Sequence, residues 1–328
     1  MPPSNRSFRN FAWFLLGYNV LIILWGAFVR VSKSGDGCGS HWPTCNGEAF
    51  HIPDNFATLV EFTHRLSTAV DLPMIIVMLV WAFRAFPKKS GVRKMATAVL
   101  IFTLTEAAFG AVLVRYGLVV DNDSTARAVV LSAHLFNTFL LLGALTLTAW
   151  WGGGHQVPQW KNQGALGWLF AFAIGSTLLI GVSGSIAALG DTLFPATSAA
   201  MNVQDILQEN LDPAQHILIR LRIFHPFLAI GVGFFLLYLA SAAAKQRPSL
   251  EVRRLALATC VLFCIQLAIG LLNRQLLAPL SMQIIHLFMA DVVWINLVLM
   301  MAATMATQSV PITARERRIA RGAVEATQ

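Results

Sequence analysis

Eight long apolar runs dominate the 328-residue chain and restrict what it can fold into. The runs cover residues 8–31, 57–84, 92–117, 128–151, 164–189, 215–244, 252–276 and 280–306. A helix needs about 20 apolar residues to cross a bilayer, and each run reaches or exceeds that length. Only 12% of the residues are charged, which is rare in a soluble domain. The pattern predicts an all-α polytopic membrane protein with eight transmembrane helices.

Charge is divided unevenly between the two sides of these spans. One side is basic and carries Arg6, Arg9, Arg84, Lys88, Lys89, Arg93, Lys94, Lys245, Arg247, Arg253, Arg254, Arg315, Arg317, Arg318 and Arg321. The other side carries Asp36, Glu48, Asp54, Asp121, Asp123, Asp191, Asp205, Glu209 and Asp212. The positive-inside rule therefore predicts that both termini are cytoplasmic. The net charge of +8 follows from this asymmetry and indicates no nucleic-acid partner.

The second half of the chain repeats the first. The segment "LSAHLFN" in the fourth span matches "QIIHLFM" in the eighth, "VEFTHRL" matches "RIFHPFL", and "TEAAFGAVLVR" matches "CIQLAIGLLNR". Four spans restore the direction of the chain, so the repeat is parallel, with its axis along the membrane normal. We expect two pseudo-symmetric four-helix bundles, residues 1–155 and 156–328. Pro226 is expected to free a backbone carbonyl in the sixth span and to bend the helix there.

Each even-numbered span carries one histidine at a repeated position: His64, His134, His225 and His286. Each lies one to three turns from the outer end of its span, or about 5–15 Å deep. Ionisable residues within a membrane are costly and usually functional. Two histidines at matched depth on facing helices of one bundle are suited to axial ligation of haem iron.

A purely structural role and zinc binding both fit these four histidines less well than haem ligation does. A single neutral histidine often makes an interhelical hydrogen bond, but four at repeated positions favour ligation. Zinc requires three or four ligands, and no cysteine or acid lies at the required depth in both halves. The remaining histidines are interpreted as surface residues: His41, His51, His155 and His216.

The outer loop after the first span, "SGDGCGSHWPTCNG", encloses Cys38 and Cys45. The outer side of a bacterial membrane is oxidising, so we expect a disulfide between them. A reduced pair, or a metal site that includes His41, is the alternative. The loop is expected to lie over the outer mouth of the N-terminal bundle, close to Glu61.

Together these features resemble the haem A synthase family. The resemblance rests on the two four-span halves, the four histidines, the loop "GDGCGSHWPTCNG" and the segment "EFTHR", and it covers about residues 12–306. It implies an oxidoreductase of the bacterial plasma membrane that oxidises the C8 methyl group of haem O to a formyl group by successive hydroxylations. The implied partners are haem O as substrate, the lipid bilayer, haem O synthase and cytochrome oxidase assembly factors.

The resemblance also assigns residues by position. His225 and His286 are expected to ligate the iron of a haem B cofactor, and His64 and His134 are expected to flank the iron of the substrate haem. Glu61 matches the essential glutamate of the family, and Cys38 and Cys45 match its extracytoplasmic cysteine pair. Some members have a second cysteine pair between the fifth and sixth spans, and this chain has none between residues 190 and 214.

The two halves differ one helical turn before the histidine, where the first has Glu61 and the second Arg222. The carboxylate is predicted to stabilise positive charge on the oxidised methyl group or to act as a base for water. A salt bridge to Arg65 is the structural alternative. Arg65 and Arg222 are predicted to bind haem propionates. Other arginines near the outer face are further candidates for this contact: Arg115, Arg127, Arg220 and Arg274.

Glu106 lies in the middle of the third span, and its repeat counterpart is the neutral Gln266. We interpret Glu106 as a hydrogen-bonded contact between helices. The residues leave two other functions open for the whole chain. One is a di-haem membrane electron carrier of the cytochrome b type, with two permanent haems. The other is a haem transporter.

Overall fold

The computed structural model describes residues 4–50, 52–161, 163–196, 208 and 210–306. Its helices are α1 (Arg6–Val31), α2 (Phe56–Ala85), α3 (Gly91–Arg115), α4 (Thr125–Gly152), α5 (Ala165–Leu193), α6 (Ile217–Arg222), α7 (Phe224–Gln246), α8 (Leu250–Gln275) and α9 (Leu280–Ala306). With α6 and α7 taken as one segment, the described residues contain eight helices long and apolar enough to cross a membrane. The predicted all-α multi-pass fold is confirmed. The largest error in a predicted span is at the end of α5, residue 193 against the predicted 189.

Polar side chains at the helix starts explain why the predicted spans agree with the observed helices. Five of the helices begin after a residue whose side-chain oxygen accepts a hydrogen bond from the backbone N–H three residues later, at 2.9–3.3 Å. These residues are Asn5, Asn55, Ser90, Ser124 and Ser249. Each satisfies one of the N–H groups that lack a partner within the helix. The change from polar loop to apolar run in the sequence therefore marks the physical start of the helix.

The sixth span is interrupted immediately before its histidine. Helix α6 ends at Arg222, Ile223 forms a turn, and α7 begins at Phe224. Pro226 has no N–H to donate to the carbonyl of Arg222, four residues earlier, so the helical hydrogen-bond pattern cannot continue through this point. The predicted local disruption of the helix is present, two residues before His225, and the predicted bend stays a prediction.

The helices pack as two groups that share a seam. Within the first four, α1 contacts α2 and α4, and α3 contacts α2 and α4; among the others, α5 contacts α6, α7 and α9, and α8 contacts α7 and α9. The seam is formed by α4 against α5 and α9, and by α1 against α9. At the seam the Trp294 indole stacks on Phe139 with ring centroids 5.4 Å apart. The Trp294 Nε1–H donates to the Phe139 carbonyl at 2.7 Å.

The apolar core lies toward one end of the helices. The buried residues of α9 run from Asp291 to Met305, and most of those in α4 fall between Asn137 and Gly152. The histidines lie outside these stretches and are only partly buried. Protein interiors are close-packed where side chains alone fill them. The four histidines therefore lie outside the most closely packed part of the bundle.

The helix ends that contain the apolar core lie together at one face of the molecule. The Asn5 N–H donates to the Gly152 carbonyl at 3.0 Å, and the Phe8 ring packs against Phe86 with centroids 5.0 Å apart. The N-terminus, the α2–α3 loop and the end of α4 therefore share this face.

Some residues named in the sequence analysis lie outside the described residues. They are one histidine and six charged residues: His51, Asp205, Glu209, Arg315, Arg317, Arg318 and Arg321.

Candidate functional site

The structure brings the imidazole rings of His225 of α7 and His286 of α9 close together. Their ring centroids are 6.2 Å apart and the ring planes are almost perpendicular, at 89°. Metal–imidazole bonds of about 2.0–2.1 Å, plus about 1.1 Å from each nitrogen to its ring centre, separate the centroids of two axial ligands by about 6.2–6.4 Å. The observed separation therefore fits two imidazoles on opposite sides of one metal ion, as in six-coordinate haem.

Three of the four histidines pack against a glycine on a neighbouring helix. A Cβ atom added to the glycine would lie 3.0 Å from the histidine Cε1 at Gly26 (His64) and at Gly184 (His225), and 2.9 Å at Gly270 (His286). Any larger residue would displace the ring. The sequence analysis missed these glycines, although their presence at similar positions in both halves was a visible signal.

Hydrogen bonds further restrain the rings of the C-terminal pair. The Ser183 hydroxyl lies 3.1 Å from His225 Nδ1, which leaves Nε2 of that ring for a ligand. The Gln266 amide nitrogen lies 3.5 Å from His286 Nε2 and donates to the His286 carbonyl at 3.1 Å. Within the described residues, the buried Nδ1 atoms of His64 and His286 have no hydrogen-bond partner. Unsatisfied buried ring nitrogens are expected where a metal supplies the missing contact.

In the N-terminal half, His134 of α4 is held by a carboxylate. Its Nδ1 contacts Glu106 Oε2. The other oxygen of Glu106 accepts hydrogen bonds from Asn137 Nδ2 at 2.6 Å and Thr138 Oγ1 at 3.2 Å. This arrangement confirms the prediction that Glu106 makes a hydrogen-bonded contact between helices. The His134 side chain remains 31% exposed.

Glu61 is buried beneath the outer loop, one turn before His64 in α2. Its Oε2 accepts a hydrogen bond from the Cys38 N–H at 2.9 Å, and its Oε1 forms an ion pair with Arg65. The Arg65 Nη1 in turn donates to the Thr44 carbonyl at 2.6 Å. The structure therefore contains the salt bridge that was the alternative to a catalytic role. Because Glu61 also bonds the loop, the pair fixes the loop to the mouth of the bundle.

The predicted disulfide between Cys38 and Cys45 is present in the structure. Both cysteines are buried, at 0% and 1% exposure. Gly37 lies so close to the backbone of Ala57 that a side chain there would overlap it. The Thr58 hydroxyl donates to the Gly37 carbonyl at 2.7 Å. The loop therefore packs directly on the first turn of α2, as predicted for a loop over the outer mouth.

Most of the arginines proposed as propionate contacts make other interactions here. Arg222 donates to Asn210 Oδ1 at 2.8 Å and forms an ion pair with Asp191 at 3.5 Å. Arg127 donates to the carbonyls of residues 120 and 122, and Arg115 to that of residue 42. Arg65 is engaged as described above. Among the described residues, Arg220 and Arg274 have no such partner. The propionate assignments of Arg65 and Arg222 stay predictions.

The sequence analysis missed several polar residues within the apolar runs. Arg30 crosses the seam and donates to the Ala188 carbonyl at 2.8 Å, to Thr192 Oγ1 at 2.7 Å and to Gln283 Oε1 at 3.2 Å. It therefore joins α1 to α5 and α9 near the histidine level. An arginine inside a membrane span was the available signal.

Two carboxyl groups lie deeper in the bundle. Asp71 accepts a hydrogen bond from Asn19 Nδ2 at 3.0 Å, and Asp291 is completely buried. Both are charged residue types within apolar runs, where burial requires a polar partner or a neutral form.

The remaining described histidines occupy peripheral positions. His216 caps α6 by accepting a hydrogen bond from the Leu218 N–H at 3.3 Å. His155 stacks on Trp150 with ring centroids 3.6 Å apart and is half-exposed. His41 is exposed in the outer loop. Their placement agrees with the interpretation that they are not ligands of the central site.

The fold and this site define a class, a multi-pass helical membrane protein with paired histidines on facing helices. A model of the cytochrome oxidase assembly protein family, COX15-CtaA, matches residues 9–298. The chain belongs to this family, the haem A synthase family.

Individual relatives carry two different names. A protein of Thermus thermophilus named protoheme IX farnesyltransferase is 43% identical over 293 residues, 89% of this chain and 48% of the relative. This chain therefore spans about half the length of that relative. The heme A synthase of Symbiobacterium thermophilum is 38% identical over 96 residues, 29% of this chain and 31% of the relative. The heme A synthase of an Exiguobacterium strain is 26% identical over 192 residues, 57% and 60% of the two chains.

Proposed function

We propose that this protein is a haem A synthase, an oxidoreductase that converts the C8 methyl group of haem O into a formyl group. The observation that carries the proposal is the facing pair of His225 and His286, 6.2 Å between ring centroids, in a chain of the haem A synthase family. A pair with this spacing suits a haem iron. Family membership supplies the reaction class.

In the C-terminal half, His225 and His286 would hold haem B, with Gly184 and Gly270 seating the two rings. Haem B bound there would supply a one-electron redox centre within the membrane. Ser183 sets the orientation of His225 through its contact with Nδ1. The residues present fit this group, because the donors are two imidazoles whose ring centroids are 6.2 Å apart, the separation that two ligands of one iron require.

In the N-terminal half, His64 and His134 would flank the iron of the substrate haem. Two successive hydroxylations each replace a hydrogen of the methyl group with a hydroxyl group from water and release two protons and two electrons, and the resulting geminal diol loses water to leave the formyl group. Conversion of a methyl into a formyl group removes four electrons in total, which an external acceptor must take. The chain's own residues bind the substrate, orient it and stabilise developing charge.

Glu61 is the residue placed to stabilise that charge. It lies one turn from His64, and its carboxylate is buried at the mouth of the same half-bundle. A fixed carboxylate favours positive charge that develops nearby, and its effect is strongest where water is excluded. Arg65 and the Cys38 N–H hold the carboxylate in place. We assign Glu61 an electrostatic role, with the outer loop as its support.

The same proposal includes the arrangement in the membrane. Basic loops at the face of the N-terminus favour a cytoplasmic location for both termini and place the disulfide loop outside. The sequence repeat and the matching glycine–histidine contacts favour two pseudo-symmetric halves, residues 1–155 and 156–328. The Thermus thermophilus relative is named for farnesyl transfer to protohaem, which supports a haem O synthase as the partner that supplies the substrate.

Pigment analysis of the purified protein tests this function. The pigments are extracted into acid solvent and separated by chromatography. A synthase contains one firmly held haem B per chain, together with exchangeable haem O or haem A. Only haem B at two per chain, with no conversion of supplied haem O, would identify a di-haem electron carrier instead. Release of supplied haem O to an acceptor, chemically unchanged, would identify a transporter.

A further inference from the structure

Glu106 of α3 is fixed against His134 by side chains of α4. Its Oε2 contacts His134 Nδ1. Its Oε1 accepts hydrogen bonds from Asn137 Nδ2 at 2.6 Å and from Thr138 Oγ1 at 3.2 Å. The Asn137 amide oxygen accepts in turn from Thr105 Oγ1 at 2.7 Å. The donors that hold the carboxylate lie three and four residues after the histidine, on the same face of α4.

The C-terminal half keeps neither the charge of this contact nor the ring nitrogen that it involves. Gln266 of α8 takes the place of Glu106 in the repeat, but its amide nitrogen lies 3.5 Å from His286 Nε2, not Nδ1, and donates to the His286 carbonyl at 3.1 Å. The residues three and four positions after His286 are Met289 and Ala290, whose side chains donate no hydrogen bond to a carboxylate. The N-terminal half is therefore built to hold an anion beside its histidine, and the C-terminal half is built for a neutral amide.

This difference determines which nitrogen of His134 faces a metal. A carboxylate accepts hydrogen bonds and does not donate them, so Nδ1 of His134 carries the ring hydrogen and Nε2 is the nitrogen left for iron. A hydrogen bond from a ligating histidine to a carboxylate raises the basicity of the ligand. A more basic axial ligand stabilises ferric over ferrous iron, and hydrogen bonding around the ligand is an established control of haem potential.

We propose that Glu106 is a positioning residue that lowers the reduction potential of the substrate haem iron bound at His134, and that Gln266 gives no such effect in the C-terminal half. The inference rests on the proposed function in one respect, because it takes His134 as a ligand of the substrate haem. The proposed lowering of the reduction potential agrees with that function. A lower potential favours the loss of electrons from the substrate side, as oxidation of a methyl group requires.

Potentiometric titration of the full-length protein tests the proposal. The protein is purified with haem O supplied, its haem content is measured by extraction, and absorption spectra are recorded as the potential is varied. The wild-type protein is compared with Glu106→Gln, which removes the charge, and with Glu106→Asp, which keeps the charge but withdraws it from the ring by one methylene group. We expect two one-electron components. Both variants should move the same component to higher potential and leave the other unchanged.

Unchanged potentials in Glu106→Gln, with both haems bound, would overturn the proposal and leave Glu106 as a contact that joins α3 to α4. If Glu106→Gln does not retain haem in the N-terminal half, Glu106→Asp decides. A rise in the potential of the N-terminal component in Glu106→Asp supports the proposal, and an unchanged potential overturns it. These titrations need no turnover. A protein that tunes its haems in this way but leaves haem O unconverted would refute the proposed function alone.

Discussion

Replacement of Glu61 by glutamine separates its support of the outer loop from its role in catalysis. Glutamine keeps the size of the side chain and one oxygen that can accept from the Cys38 N–H, but it removes the charge that pairs with Arg65. The catalytic assignment and the structural alternative agree that the ion pair is lost. They disagree about what happens to the rate of formyl formation.

The structure sets the scale of the loss in stability. The side chains of Glu61 and Arg65 are only 4% and 11% exposed, so the pair is buried. Breaking a buried pair by removing one partner costs about 3–5 kcal/mol, because the other charge is left uncompensated. Arg65 also donates to two loop carbonyls, which it retains in the variant. We therefore expect a loss near the lower end of that range, about 3 kcal/mol, seen as a lower melting temperature in detergent.

Arg65→Gln is the matched control, because it breaks the same ion pair and leaves the carboxylate in place. Arg65→Gln should lose at least as much stability as Glu61→Gln, because it also removes the guanidinium group that donates to two loop carbonyls. If Glu61 stabilises developing charge, Glu61→Gln should lose a further factor of about 10²–10⁴ in formyl formation per bound haem B, the range typical of a catalytic carboxylate. Arg65→Gln should lose clearly less activity than Glu61→Gln on the same basis, because the carboxylate and its hydrogen bond from the Cys38 N–H remain. Haem B content, measured by extraction, normalises both rates.

Equal activity per bound haem B in the two variants would refute the catalytic role. It would show that Glu61 serves only to fasten the loop. Accumulation of a hydroxylated, not yet formylated haem in Glu61→Gln would place the residue after the first oxidation and support the assignment.

Three further outcomes follow from the geometry. Gly184→Val should displace His225 and abolish the haem B spectrum, because even a Cβ atom would lie 3.0 Å from the ring, whereas Gly175→Val on the same helix should leave the spectrum intact, because no atom lies within 4 Å of its Cβ. His225→Ala should remove the low-spin haem B spectrum while the protein still inserts into the membrane; an unchanged spectrum would contradict axial ligation. Cys38 and Cys45 should react with a thiol reagent only after reduction and denaturation, because both are buried in a disulfide; labelling of either in the untreated membrane would contradict that state.

The fold was predictable from the sequence because the bilayer imposes a length on every helix. Polar caps such as Asn55 and Ser124 coincide with the change in composition, so hydropathy also located the helix starts. The effect of Pro226 could also be predicted, because the missing N–H of a proline disturbs hydrogen bonds only within one turn of its own helix. The end of α5 was placed too early, because residues 190–193 continue the helix through a more polar segment.

The contacts of the site were harder to predict from the sequence, because they depend on how one helix is rotated against another. The repeat indicated that His225 and His286 belong together, but only packing brings their rings to 6.2 Å. The spacing of Glu61 and Arg65 allowed a salt bridge, yet the N–H of Cys38 reaches Glu61 only because the loop folds back on α2. Nothing local in the sequence assigns Gly184 to His225. Such pairs are set by tertiary structure, which a single sequence does not specify residue by residue.

The most direct test of the proposed function measures whether haem O is converted. The chain is produced together with a haem O synthase in a host that makes no haem A, and the haems extracted from its membranes are identified by mass. We predict a new pigment with one oxygen more and two hydrogens fewer than haem O, present with the wild-type chain and absent with His225→Ala. Unchanged haem O in membranes that contain the folded chain with its haem B bound would contradict the proposal that this protein makes haem A.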